Sequence, residues 1–268
     1  MGIIENLTEQ DREFASFSGK CPFKCLHCYT FSNNFKSKED SSLYEIVERL
    51  SSKKFKIIYI SGYKENFEKP DDGLDLMEKL FSRYKCHILF TTRNTFNKKQ
   101  IDRLSEINNK MQDIGKKLFA CISISALGSY KKLETNKIIP SPSQRIEFLK
   151  DLNKKGIITF LTLRPICPDL FIPTIEYLEI LEKSYKYCDA IITSGIKVDK
   201  SIIKNLVNFP LDDNCKEERW HCFDEMPVKN PNVNNELSVI KAFCKVKKIP
   251  VFDESIPAIN YQLKSQAY

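Results

Sequence analysis

The chain has 268 residues, 42% of them hydrophobic and 29% charged, enough to bury one large core without requiring a second domain. A net charge of +7 is modest for this length, and lysines alternate with acidic residues along most helical stretches; this mostly describes a solvated surface and is weak support for an anionic substrate such as a nucleotide, or for nucleic acid. No apolar run is long enough to cross a bilayer, and the opening Met-Gly-Ile-Ile-Glu-Asn-Leu lacks the basic-then-apolar layout of a signal peptide, so the expectation is a cytoplasmic protein whose cysteines stay reduced.

Along the chain, apolar strand-like runs alternate with amphipathic stretches. Strands are predicted over Glu13 to Ser18, Phe55 to Ile60, His87 to Thr92, Leu118 to Ser125, Ile157 to Leu163 and Ala190 to Thr193. Helices are predicted between them at Leu43 to Leu50, Leu74 to Arg83, Lys98 to Ile114, Ser143 to Lys154 and Thr174 to Lys186. Asp71-Asp72, Ser141-Pro142 and Pro173 mark three of the helix starts. Such a series gives an α/β fold with a parallel sheet, either closing toward a barrel or staying open. Residues 1–207 make this core. Residues 208–268 read as an extension or lid of the same domain, with a polar irregular link from Asn208 to Pro231, a helix from Glu236 to Lys247 and a short strand from Ile249 to Phe252.

Chemistry concentrates just after the first strand, where Cys21, Cys25 and Cys28 stand in the run Cys-Pro-Phe-Lys-Cys-Leu-His-Cys-Tyr-Thr. Three thiolates on one short loop can hold three irons of a [4Fe–4S] cluster and leave the fourth iron open. The competing readings are a structural zinc site, which normally wants four ligands, or buried thiols. Cys86, Cys121, Cys167, Cys188 and Cys244 sit in apolar runs and read as core residues.

The C-x3-C-x2-C run resembles the radical S-adenosylmethionine superfamily. That resemblance implies a partial (β/α)6 barrel, a [4Fe–4S] cluster on Cys21, Cys25 and Cys28, and S-adenosylmethionine bound at the open iron through its amino and carboxylate groups. It also implies reductive cleavage to a 5′-deoxyadenosyl radical that abstracts hydrogen from substrate. His27 fits the slot before the third cysteine, where family members place an aromatic side chain against the cofactor.

In a parallel sheet of this kind chemistry sits at the carboxyl ends of the strands. The resemblance directs attention there to Gly62, in Ser61-Gly62-Tyr63-Lys64-Glu65 where many members carry Gly-Gly-Glu, and to Thr91, Thr92, Arg93, Ser123 and Ser125 for ribose and carboxylate. Arg164, between Leu163 and Pro165, is a candidate for the cofactor carboxylate or an anionic substrate, and Gly195 for packing on adenine. Tyr63 and Trp220 are candidate substrate-stacking aromatics, and Cys215 and Cys222 candidate hydrogen donors.

The tracts around Gly62, Arg93 and Arg164 look like the small branch around spore photoproduct lyases, over about residues 12 to 200. The implied partners are a one-electron reductant such as flavodoxin or ferredoxin and a compact, nucleoside-like substrate. Scission that releases a modified base such as queuine fits the size and branch. A DNA-lesion lyase, an activase of a glycyl-radical enzyme and a non-catalytic metal-binding protein remain alternatives.

Overall fold

The computed structural model describes residues 6–32, 42–62, 64–211, 215–220 and 226–265. Its centre is a parallel sheet of strands β1 (Arg12–Ala15), β2 (Ile57–Ile60), β3 (His87–Thr92), β4 (Leu118–Ser123), β5 (Ile158–Ile166) and β6 (Ala190–Gly195), paired in chain order. Short β9 (Val251–Phe252) adds a seventh strand, pairing parallel to β6. The sheet runs from β1 to β9 without the two edges pairing, so it is an open α/β sheet, a partial barrel.

Helices α2 (Leu43–Ser51), α3 (Pro70–Tyr84), α4 (Lys98–Gln112), α5 (Pro142–Lys154), α6 (Thr174–Ser184) and α8 (Asn234–Lys247) cover one face; α1 (Tyr29–Ser32) and α7 (Lys200–Asn205) are short. Their starts follow local chemistry. Ser42, Asn97 and Ser141 each accept from the backbone three residues on, while Glu45, Gln100 and Gln144 reach back to complete capping boxes. Pro70 and Pro142 open their helices where a missing N–H costs nothing.

Strand alternation splits the core in two. Ile58, Ile60, Ile88, Phe90, Ala120, Ile122, Leu161 and Leu163 pack under the helices. Ile57, Tyr59, Leu89, Phe119, Cys121, Phe160 and Ile192 face the concave side. That side is plugged by α9 (Ser255–Ser265) through Ile256, Ala258 and Ile259, with Leu7 beside them. The plug is pinned by Asn260, which accepts from the Leu7 amide and donates to its carbonyl, both at 2.8 Å.

The stretch from Asn208 to Pro231 differs from the expected irregular link, while the expected helix and short strand follow as α8 and β9. That stretch contains the antiparallel pair β7 (Lys216–Trp220) and β8 (Met226–Asn230); beyond it β9 and α9 complete the sheet edge and fill the concave face. Lys-Glu-Glu-Arg is a polar run with no alternation to mark it as a strand. Its pairing is held by backbone bonds and by Val198 and Lys229, which exchange bonds at 2.9 and 2.8 Å.

Candidate functional site

The cysteine loop leaves β1 at the carboxyl end of the sheet and is held from two directions. On one side Asn66, beyond β2, accepts from the Phe17 amide at 2.9 Å and donates to the Ser16 hydroxyl at 2.9 Å, while Lys64 donates to the Ser18 carbonyl at 2.7 Å. On the other, the loop after β4 clasps it. The Leu26 amide donates to the Leu133 carbonyl at 2.8 Å and the Asn136 amide group to the Pro22 carbonyl at 2.8 Å, and Ile139 packs on Phe23 and Cys25.

Cys25 is buried and Cys21 and Cys28 partly so; the three thiols lie within electrostatic reach of one another. Burial pushes the free Cys25 thiol up to about 12 despite the nearby Arg93 guanidinium. Among the described residues, no three His, Cys, Asp or Glu side chains converge closely enough to hold a single metal ion. Three thiols on one loop are one short of the four ligands of a closed structural zinc site and match the number that hold three irons of a [4Fe–4S] cluster.

Behind this loop lies a buried ionic network. Glu134, fully buried, accepts from Arg145 Nη2 at 2.5 Å, Arg93 Nε at 3.1 Å and Ser125 Oγ at 2.7 Å. Arg145 also donates to the Ser123 carbonyl at 2.6 Å, and Arg93 Nη2 lies 3.3 Å from His27 Nε2. Burial alone would raise the Glu134 carboxyl, but the two guanidiniums outweigh it and hold the group at about 2. Burial, and secondarily Arg93, keep the His27 imidazole neutral by lowering it to about 3. A second buried carboxylate, Glu65, accepts from the Phe67 amide (2.9 Å), the Thr92 hydroxyl (3.0 Å) and the Arg93 amide (2.9 Å), with burial raising its pKa.

Beside the loop opens a cleft of about 230 Å³ lined by His27, Tyr29, Arg93, Arg164, Pro165 and the Ser194–Lys197 turn. Here a polar atom is left over: Arg164 Nε is buried without a hydrogen-bond partner. Burial lowers the Arg164 pKa. A desolvated guanidinium with an unmatched Nε donor suits a carboxylate or phosphate.

The structure thus brings His27, Arg93, Arg164 and Gly195 to the cleft beside the cysteines. Thr91 lies near Cys121 and Thr162 on the concave face. Thr92 and Ser125 go elsewhere, both buried, Thr92 bound to Glu65 and Ser125 to Glu134; Ser123, also buried, shares the face of Cys121, and its carbonyl accepts from Arg145. Direct contact of Thr92 or Ser125 with a ribose or carboxylate is not what this geometry offers, because strand alternation turns Thr92 toward the helix layer and Glu134 engages the Ser125 hydroxyl. Gly62 is needed for close approach: a Cβ there would lie 2.5 Å from the Phe14 ring, while the left-handed residue of the turn is Ser61, at φ 69°. Cys215 is half-buried at the entry to β7. Tyr63 and Cys222 lie outside the described residues, as does the side chain of Trp220. Glu65, Asn66, Glu134 and Arg145 escaped the sequence reading.

No family model and no curated protein matches the sequence. Solved structures do match in fold. Streptococcus suis SuiB bound to S-adenosylmethionine superposes with a TM-score of 0.61 at 12% identity, over 91% of this chain and 50% of SuiB. SuiB bound to its precursor peptide SuiA gives 0.57 at 12% identity, over 92% and 49%. A spore photoproduct lyase variant with bound S-adenosylmethionine and dinucleoside spore photoproduct gives 0.63 at 11% identity, over 88% of this chain and 74% of that one. The chain spans about half the length of SuiB, and what it shares with these S-adenosylmethionine-bound proteins is the fold.

Proposed function

We propose that the chain is a radical S-adenosylmethionine enzyme. The observation that carries the reading is the placement of Cys21, Cys25 and Cys28 at the carboxyl mouth of an open parallel barrel, beside a cleft containing an unmatched guanidinium. Those cysteines would hold a [4Fe–4S] cluster whose chemistry, when bound, is to deliver one electron to the sulfonium of S-adenosylmethionine and so generate a 5′-deoxyadenosyl radical. The chain's own residues do the rest. His27 stays neutral and presents an imidazole face to the cleft, Arg164 receives an anionic group, and Gly195 with Ile196 offers flat backbone to a base. Gly195 is constrained to glycine, since a Cβ there would stand 2.8 Å from Val233.

The substrate class that fits is small and nucleoside-derived, with scission that releases a modified base such as queuine as the specific form. Support comes from the small volume of the cleft and from the fold shared with a lyase solved with a dinucleoside lesion. That same neighbour favours a second reading, a DNA-lesion lyase, which differs in requiring duplex binding that weakens steeply with salt.

Anaerobic iron–sulfur reconstitution followed by assay for 5′-deoxyadenosine, with a strong reductant and a nucleoside panel, tests the proposal. Product lost at least a hundredfold in Cys25→Ala, and stimulated by one panel member, is the expected outcome. Zinc binding with no deoxyadenosine would leave a metal-stabilised binding protein instead.

A further inference from the structure

Arg93 has its polar contacts on the network side. Its Nε is bound to Glu134 at 3.1 Å and its Nη2 lies against His27, so its guanidinium is fixed rather than free to follow a ligand. Glu134 is shared with Arg145, and both of those side chains are fully buried. One carboxylate between two guanidiniums leaves one positive charge over, and the electrostatic neighbours of Arg93 include Cys25 and Cys28. Glu65, the other buried carboxylate, lies by Cys21 and opposes Arg93 from that side. Arg93 thus stands as a cation beside Cys25 and Cys28, against His27 in the same loop, with Glu65 offsetting it on the Cys21 side.

From this we infer that Arg93, clamped by Glu134, is a positioning residue whose fixed cation sets the reduction potential of a cluster held by Cys21, Cys25 and Cys28. The inference rests on the cluster reading above. A reduced cluster carries one more negative charge than an oxidised one, so a cation held nearby in a poorly solvated place favours the reduced form. Arg93 thereby makes the first electron easier to accept, a role separate from holding cofactor carboxylate.

The test is an EPR-monitored redox titration of the reconstituted full-length chain with titanium(III) citrate, without S-adenosylmethionine. Arg93→Met is expected to hold the cluster yet lower the ratio of reduced to oxidised form about tenfold at a fixed potential, a 59 mV downward shift for one electron. Arg93→Lys should stay near wild type, and Glu134→Gln, which removes the opposing anion, should shift upward. A purely structural role would change iron content or thermal stability without these opposite signs. An unchanged potential in a fully loaded Arg93→Met overturns the inference. If that variant loads poorly, a Glu134→Gln potential no higher than wild type does so. Failure of the wild-type chain to form any cluster would instead remove the enzyme reading itself.

Discussion

The two sides of the barrel mouth carry similar residues in opposite states. On the β3–β4 side, Arg93 and Arg145 share Glu134, and the hydroxyls of Thr92 and Ser125 are spoken for by carboxylates; of the Arg145 donors only Nε lacks a partner. On the β5–β6 side, Arg164 keeps a buried Nε with nothing to bind. Buried polar groups are normally matched, so the satisfied side reads as scaffold and the unsatisfied side as receptor. Holding a labile cluster asks for the first property, and accepting and releasing a small ligand asks for the second.

The difference is broken most severely at Glu134. Glu134→Ala leaves Arg93 and Arg145 buried and unpaired, and should cost about 3–5 kcal/mol in chemical denaturation. Its pH signature has a definite sign. The folded carboxyl is held at about 2 against an ordinary 4.5, so the stability it contributes is complete above 4.5 and is lost as pH falls toward 2. Glu134→Gln should flatten the acid limb in that window. An acid limb identical to wild type would show that the guanidiniums do not hold this carboxyl down.

A smaller effect is expected where the cysteine loop leaves the sheet. Gly62→Ala puts a methyl 2.5 and 2.7 Å from Phe14 ring atoms, and that ring is itself packed edge-on against Tyr59 and under the Arg12 guanidinium. The substitution should cost about 1–3 kcal/mol by overpacking, with partial recovery in a Phe14→Leu background. No recovery would point to backbone strain rather than to the ring.

The two sides were unequally legible in the sequence. The strands, most helices and the cysteine loop follow from local periodicity and spacing, and the structure places them within a few residues of expectation. Arg164 was visible because the predicted strand ends just before it and a proline follows, although β5 itself runs on through both to Ile166. The scaffold was not, because Glu134 lies in an irregular loop with no pattern, and only the fold brings it to α5. Arg145 did leave a trace: it occupies the buried stripe of α5 with Ile146, Leu149 and Leu152, where a charge without a partner would not be tolerated. The pair β7 and β8 was hidden for the converse reason, since exposed Lys216, Glu217, Glu218 and Arg219 carry no apolar alternation.

The smallest stability change, and the sharpest use of the comparison, belongs to Arg164. Its Nε is desolvated and unmatched, so Arg164→Met removes an unfavourable burial while keeping the aliphatic stem. Unfolding should stay within about 0.5–1 kcal/mol of wild type. Ligand affinity should move far more. One charge-assisted contact is about 1.5–3 kcal/mol, roughly 10- to 150-fold, in equilibrium binding of S-adenosylmethionine or of an anionic nucleotide to the reconstituted chain. An arginine belonging to the scaffold would give the reverse, a loss of stability with affinity intact. The same substitution therefore decides whether the β5–β6 side is a receptor or only a poorly packed continuation of the wall opposite.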